Sequence, residues 1–541
     1  MRARAGLFFS RLLSECHSSP ILFAAMSQLP HIPVLRAGLS YASLDVAEIK
    51  GVASGEAVVR ISQANAGLIK RDLAAISRAA GALRRLRARD RVAMVKRAGE
   101  IFLNDTLPLG DSGMQQSPDD YLHQLAATSG LPHALIRRNM QRLGIVFAEI
   151  DVIISGLSRG LNLDVLDHGM GQQNGVPVSF AVQTDSLGVI LPSNSPAVNA
   201  LWIPSLALGV PVVLKPGREE PWTPWRIIQA MIKAGLPAEA FSLYPTSHEG
   251  SAAIIKRCGR VQLFGDDKTV AQYATDPRVE VHGSGRSKIL LGDDMVDRWR
   301  EFLPVLVDSI ALNSGRSCIN ASAIIVPRHG AEIAEAIAAE LVAMVPRAPE
   351  DPDARLSGFA NATMAEMIDG AIADGLGDPG AEDVSARLRV AAGVEAPRRV
   401  SRDGMNYLQP TIVYCDSFDH SLANREFMFP YASVVEVPQA EMLDTIGPSL
   451  VVSAITSDPA WIPELLAAPH IDRLNIGPVV TAQVDWSQPH EGNLFEFLYK
   501  RRSISVLNQL FGLESVSFVD FLQKQTEGDD GALAAAAETE E

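Results

Sequence analysis

The chemistry of this chain centres on one cysteine. Cys318 ends the run Asn313-Ser-Gly-Arg-Ser-Cys318, a polar loop that follows a long helical pattern. A thiol on such a loop can be exposed, and neighbouring donors together with Arg316 would favour its thiolate, the form that attacks a carbonyl carbon. The other cysteines read differently. Cys258 closes an amphipathic helix, Cys415 ends a strand, and Cys16 lies in an N-terminal extension. Most cysteines behave as small apolar groups. Asn194, in Pro192-Ser-Asn-Ser-Pro196, follows a predicted strand end. It is either a turn residue or an amide that holds an oxyanion. Lys215 ends the next strand before Pro216-Gly217 and is either a solvated cation or a partner for ribose hydroxyls. Gly265 follows the strand 261–264 and would let backbone approach a pyrophosphate. His490 and Glu491 lie in Gln488-Pro-His-Glu-Gly-Asn493. They pair two titratable groups as an acid/base device does, or simply sit in a capped turn before a helix at 494–500.

These residues need elements to position them. Residues 45–150 read as mostly helical, with amphipathic helices at 64–86 and 89–102 and a loop at 110–119. From about residue 178 short apolar runs alternate with helical ones. Strands are expected at 187–191, 211–214, 241–244, 261–264 and 279–281, with helices at 197–209, 224–234, 252–257 and 269–274 between them. Strand–helix alternation implies βαβ units and a parallel sheet, which binds ligands at the carboxyl ends of its strands. A second cycle follows. A helix at 295–312 precedes the cysteine loop, then a strand at 321–326, a helix at 331–345, and strands at 407–414, 433–437, 450–456 and 474–476. Two α/β lobes are the economical reading.

In order and spacing, residues 185–495 resemble the aldehyde dehydrogenase superfamily. Pro192-Ser-Asn194-Ser-Pro196 is similar to its Pro-Trp-Asn-x-Pro segment, and Val212-Val-Leu-Lys215-Pro216 to its Val-Val-Leu-Lys-Pro run. Ala234-Gly-Leu-Pro237, Leu263-Phe-Gly265, Asn313-Ser-Gly315-Arg-Ser-Cys318, Pro410-Thr411 and Glu426-Phe-Met-Phe-Pro430 continue the pattern. The resemblance implies two Rossmann-type α/β lobes with a small oligomerisation extension. It divides the chain into an extension (1–26), a helical lead-in with dinucleotide-binding domain (27–283), a catalytic domain (284–485), a return and oligomerisation element (486–524) and an acidic tail (525–541). It also implies roles. Cys318 would be the nucleophile, Asn194 and the Cys318 N–H the oxyanion donors. Lys215 and Glu426 would bind the adenosine and nicotinamide riboses of NAD or NADP. The partner would be a small-molecule aldehyde or acyl thioester, and the assembly a homodimer or homotetramer.

Three departures from the pattern carry information. The family's general-base glutamate opens a Glu-Leu-Gly-Gly-Lys segment, which here reads His282-Gly-Ser-Gly-Arg286. His282 either activates water near neutral pH or only packs. Its presence also fits an enzyme that passes the acyl group to coenzyme A. Asp266 and Asp267 follow Gly265 and disfavour a pyrophosphate unless they cap the helix or point outward. Arg218, three residues after Lys215, can meet a 2′-phosphate and tilts the expectation towards NADP, although Glu219 and Glu220 follow.

The 541-residue composition sets outer limits. Hydrophobic residues make up 47% and charged residues 21%, ordinary for a globular protein. A net charge of -15 argues against nucleic acid and anionic membrane surfaces as main partners. The four cysteines show no CxxC pair or metal-ligand spacing, which fits a reducing, cytoplasmic setting. No apolar stretch approaches the roughly 20 residues that cross a bilayer. Residues 1–25 are Arg- and Ser-containing, and Arg11 interrupts their apolar run. They read as a transit segment or as leader sequence before a start at Met26. The final residues carry six acids and no base, a solvated tail. Set against the oxidoreductase reading is a fold kept for binding after losing its base, since fold alone does not establish activity.

Overall fold

The computed structural model describes residues 29–505, except 174–175 and 395–396; the leader and the acidic tail lie outside the described residues. The expected alternation builds two seven-stranded sheets. In the first, Leu187–Ile190 is central and pairs in parallel with Val212–Lys215 on one side and Arg260–Phe264 on the other. Phe241–Leu243 and Val279–His282 extend it in parallel, and the hairpin Val34–Arg36/Leu39–Tyr41 closes one edge antiparallel. In the second, Ser287–Leu291 and Ala321–Val326 form the middle, with Tyr431–Glu436, Thr411–Cys415, Ser449–Ile455 and Ile471–Ile476 outside them in parallel. Ala381–Asp383 is its antiparallel edge. Strands such as Leu187–Ile190 and Ser449–Ile455 are buried along their whole length. That is what a parallel sheet covered by helices on both faces requires, and it is why they read as unbroken apolar runs.

The lead-in differs from the expectation. Before any helix it forms the strands Val46–Lys50 and Ala57–Ser62, which pair antiparallel. The expected helix at 64–86 is two helices, Ala66–Leu73 and Ser77–Arg84. The loop at 110–119 is the turn of a hairpin, Leu107–Leu109 with Met114–Gln116, followed by a helix from Pro118 that Ser117 caps reciprocally with Asp120. The single strand expected at 407–414 is two, Met405–Leu408 and Thr411–Cys415, because Gln409-Pro410 breaks the ladder. The central strand Ser287–Leu291 was not expected at all. Near the end of the described chain, Tyr499–Arg502 returns to pair antiparallel with Val176–Val182, which also pairs with Met170–Gln173. Among the described residues no helix is long and apolar enough to cross a membrane.

The helix His133–Ala148 matters most for the site. Its buried face carries Leu135, Ile136, Asn139, Met140, Leu143 and Phe147 at helical spacing. Asn139 is the polar member of that stripe. Its Nδ2 donates to the Asn313 Oδ1 at 2.8 Å, across to the cysteine loop. The loop leaves the helix Trp299–Ala311 through Asn313 (φ 54°), Ser314 (φ 60°) and Gly315 (φ 63°), all left-handed. At Gly315 an added Cβ would also lie 2.4 Å from the Phe429 carbonyl carbon. Gly315→Ala should therefore cost at least about 3 kcal/mol. Gly113→Ala, equally left-handed at φ 74° but with open space around it, should cost only about 1–2 kcal/mol. Denaturant unfolding of the two variants checks the difference; equal losses would mean that the Phe429 contact is of no consequence.

Candidate active site

The carboxyl ends of the first sheet's strands and the amino ends of the second sheet's strands open on one cavity of about 960 Å³, bordered by Asn194, Phe264, Gly265, His282, Cys318, Glu426, Trp486, His490 and Glu491 among others. A second cavity of about 1070 Å³ is bordered by Lys215, Pro216, Gly217, Arg218 and the helix turn His248–Ser251, and it too reaches Phe264, Gly265 and Asp266. The turn 264–266 is thus the shared wall. The residues singled out in the sequence fall on these two cavities: Cys318, Asn194, His282 and Glu426 on the first, Lys215 and Arg218 on the second, Gly265 on both.

Cys318 is half-buried, whereas Cys258 and Cys415 are buried. The loop carrying it is tied down from several directions. Asn313 Nδ2 donates to Ser195 Oγ and Ser317 Oγ at 3.2 and 3.1 Å, and Ser317 N donates to Asn320 Oδ1 at 3.0 Å. The Cys318 carbonyl accepts from Ser287 Oγ at 2.8 Å. Gly285 passes so close that an added Cβ would lie 2.1 Å from that carbonyl oxygen. Arg316 does not serve the thiol as expected. Its guanidinium is turned away, donating to the Ser129 carbonyl at 2.9 Å and Ser357 Oγ at 2.7 Å, so its work is to hold the loop. The cation that acts on Cys318 is instead Arg473, a residue the sequence reading passed over. Arg473 Nη2 donates to the Gln483 carbonyl at 2.8 Å, and its Nη1 lies 3.3 Å from His490 Nδ1. Burial, and next the Glu426 carboxylate, push the Cys318 thiol up to about 12, against the partial relief from Arg473 and the Cys318 and Ile319 N–H groups. The resting group is a thiol, not the thiolate expected from the loop.

Asn194 donates through Nδ2 to the Arg316 carbonyl at 2.8 Å, while Met428 Sδ lies 4.0 Å from the same nitrogen. Its Oδ1 is buried without a hydrogen-bond partner among the described residues. Glu426 Oε2 accepts the Arg286 N–H at 2.6 Å, and among the described residues Oε1 is buried without a hydrogen-bond partner. Burial raises this carboxyl to about 7. Burial likewise holds the Lys215 ammonium below its usual range. The two worrying acids are both occupied: Asp266 caps the helix Asp267–Ala271, accepting from Thr269 N at 2.8 Å, and Asp267 pairs with Arg286. Neither is left as a free charge against a ligand phosphate.

His282 is not the isolated group its position suggested, and His490 and Glu491 do not pair with each other. Glu491 contacts His282 Nδ1, while Glu280 Oε1 lies 3.1 Å from Nε2. The imidazole stacks on Phe264, with ring centroids 4.3 Å apart and planes 11° apart. His490 is a separate group beside Arg473, held neutral because burial and then Arg473 push it down to about 3.

Residues 42–445 match the family model described as "Aldehyde dehydrogenase family". The chain belongs to the aldehyde dehydrogenase family. Among individual proteins it is similar to a 3,4-dehydroadipyl-CoA semialdehyde dehydrogenase of Aromatoleum evansii, 25% identical over 295 residues, which are 49% of this chain and 53% of that enzyme. It is also similar to an aminoacetaldehyde dehydrogenase of Pseudomonas aeruginosa, 27% identical over 194 residues, 34% of this chain and 39% of that one. The chain thus spans about half the length of the first relative and less of the second. Solved structures extend the likeness further. An indole-3-acetaldehyde dehydrogenase complexed with NAD+ superposes with a TM-score of 0.72 at 17% identity, covering 88% of this chain and 97% of that one. An NADP-dependent enzyme of E. coli gives a TM-score of 0.70 at 17% identity, with 88% and 98% coverage. At such identities the superpositions establish the aldehyde dehydrogenase fold.

The residues present fit a dinucleotide of the kind this family uses. Glu426 offers an unpaired carboxylate oxygen for a ribose hydroxyl, and Lys215 has no hydrogen-bond partner among the described residues. The electrostatics of Cys318 give a test with a sign. Because the Glu426 charge raises the thiol and Arg473 lowers it, Glu426→Gln should shift the pH dependence of iodoacetamide alkylation at Cys318 downward, and Arg473→Gln upward. Peptide mapping should find Cys258 and Cys415 unlabelled. Shifts of the same sign in both variants would remove the electrostatic assignment.

Proposed function

We propose that this aldehyde dehydrogenase oxidises an aldehyde to an acid through a covalent thioester on Cys318, with NAD or NADP as acceptor. The observation that carries the reading is that Cys318, Asn194, Glu426 and the His282–Glu491 couple border one cavity, joined at 264–266 to the cavity of Lys215. The Cys318 thiol gives its proton to solvent water in the cavity as its sulfur forms a bond to the carbonyl carbon, and the carbonyl π pair moves to oxygen. That oxygen is received by the Cys318 N–H and by Asn194, whose contact with Met428 sulfur at 4.0 Å is weak enough to be displaced. A bound nicotinamide supplies the acceptor for the hydride that leaves as the oxygen pair re-forms the carbonyl. The thioester left on Cys318 is then attacked by water, whose proton passes to the His282–Glu491 couple and from it to the departing sulfur as the carbon–sulfur bond breaks. A neutral imidazole carries one N–H, so one carboxylate contact of His282 opens for this step. Glu280 is the partner with an alternative, since its Oε1 also accepts from Gln262 Nε2 at 3.1 Å.

The lobe boundaries belong to the same proposal: a dinucleotide lobe within 27–283, a catalytic lobe within 284–485, and 486–524 joining subunits in a homodimer or homotetramer. They are supported by the first sheet ending at His282, the second spanning 287–476, and the return strand Tyr499–Arg502. Arg218 is exposed on the Lys215 cavity and favours NADP. Arg218→Glu should move the ratio of NADP to NAD efficiency towards NAD by about tenfold or more, judged from a charge-assisted contact. Unchanged cofactor selectivity would withdraw the 2′-phosphate contact.

Release by water rather than by coenzyme A rests on the carboxylate-backed His282. Rapid mixing of enzyme, aldehyde and NAD(P) should show steady hydrolysis without added thiol. His282→Ala and Glu491→Gln should keep the first turnover and slow later ones by about 10²–10⁴-fold. Cys318→Ser should abolish both phases. Slow native hydrolysis that coenzyme A accelerates, with neither variant changing it, would make the chain a CoA-acylating enzyme instead.

A further inference from the structure

The helix that fixes the cysteine loop through Asn139 also borders the cavity of Cys318. One helical turn apart on it stand Arg138 and Arg142. Arg142 is half-buried and borders the cavity, whereas Arg138 is exposed beside it. Among the described residues no hydrogen bond or ion pair ties either guanidinium to the protein. The carboxylates that border the same cavity are engaged elsewhere or lie apart. Asp266 caps its helix, Glu426 accepts from Arg286, Glu491 contacts His282, Asp485 accepts from Ser487 N and Oγ, and Glu149 is exposed beyond the end of the helix. The two influences on the Arg142 charge are burial and the like charge of Arg138, both unfavourable to it, with no anion to offset them.

An uncompensated guanidinium facing a half-buried cavity is unfavourable unless a ligand supplies the counter-charge. The cavity that Arg142 and Cys318 both border is also lined by Ile145, Val198, Leu201, Ile368 and Trp486, which suit a hydrocarbon body. We propose that Arg142, assisted by Arg138, receives an anionic group at the end of the aldehyde remote from the reacting carbon, so that the substrate class is semialdehydes of apolar-bodied dicarboxylic acids or similar ω-anionic aldehydes. This rests on the Cys318 reading for the reacting end and on the guanidinium pair for the other. A carboxylate meets a guanidinium through two parallel hydrogen bonds, which fixes the length of chain that still places the carbonyl at sulfur.

Binding and turnover test the two halves separately. Calorimetric titration of the enzyme with a linear dicarboxylate and with the diol of equal chain length requires no turnover. The dicarboxylate should bind and the diol should not. Arg142→Gln should weaken the dicarboxylate about tenfold or more, Arg142→Lys less, and added salt should weaken it in the wild type. In turnover, the ratio of kcat/KM for a linear semialdehyde to that for the alkanal of equal length should fall by a similar factor in Arg142→Gln. Equal binding of diol and dicarboxylate, or a dicarboxylate affinity indifferent to Arg142→Gln, overturns the subsite. So does Arg142-dependent binding of coenzyme A with none of the dicarboxylate. If neither aldehyde is oxidised while the titrations behave as expected, the Cys318 reading fails and the anion subsite stands.

Discussion

The site depends on a backbone that turns the wrong way. Asn313, Ser314 and Gly315 are successive left-handed residues, and only the third is a glycine. The two others cost about 1–2 kcal/mol each in that conformation, and they persist because the loop is over-determined by buried contacts. Asn139, Ser195 and Asn313 form a closed set of hydrogen bonds, Ser314 Oγ accepts from Ser357 N at 2.8 Å, and Arg316 reaches back to Ser129. Each such bond contributes on the order of 1 kcal/mol net, and leaving any member unpaired costs more. The partners come from four separate stretches of the chain. The loop therefore reports whether both sheets are assembled, and Cys318 has its position only when they are.

Burial then sets the electrical character of the cavity. It drives the principal ionisable groups towards neutrality: the Cys318 thiol up to about 12, Glu426 up to about 7, and His490 down to about 3. Lys288, fully buried under the site with its Nζ donating to the Arg286 carbonyl at 2.6 Å and Ser449 Oγ at 3.0 Å, falls to about 7 by the same desolvation. A carbonyl compound thus meets largely neutral groups around Cys318, with Arg473 as the cation that acts on it. In the proposed mechanism, charge that develops on its oxygen would be answered by N–H groups held in place beforehand, which need little reorganisation.

Much of this was legible before the structure. The parallel strands are buried on both faces and so stand out as apolar runs; the carboxyl ends of the first sheet name Asn194, Lys215, Gly265 and His282, whereas Cys318 and Glu426 precede strands of the second. What escaped the reading has identifiable causes. Ser287–Leu291 hides because Lys288 interrupts its apolar run, and a buried lysine is rare enough to be read as surface. Val46–Lys50 carries Glu48 and Lys50 on its outer side and lacks the signature of a strand. The pairing of His282 with Glu491 spans 209 positions, which no local spacing encodes, and the adjacent His490 offered a nearer but false partner. Arg316 was placed by proximity to Cys318 in sequence, but direction decides: the next residue along a turn faces elsewhere, and the useful cation arrives from a strand far down the chain.

The stacking of Phe264 on His282 has a consequence for how the two cavities communicate. Phe264 borders both, and its ring fixes the imidazole plane. A ligand that presses on 264–266 from the Lys215 side therefore acts on His282 orientation without touching it. Thermodynamic reciprocity requires the converse: whatever an acyl group on the Cys318 side does to that ring, favourable or not, it returns as an equal change in the free energy of binding next door. On the proposed function, the shared turn would make dinucleotide affinity and the state of the acyl site two readings of one equilibrium.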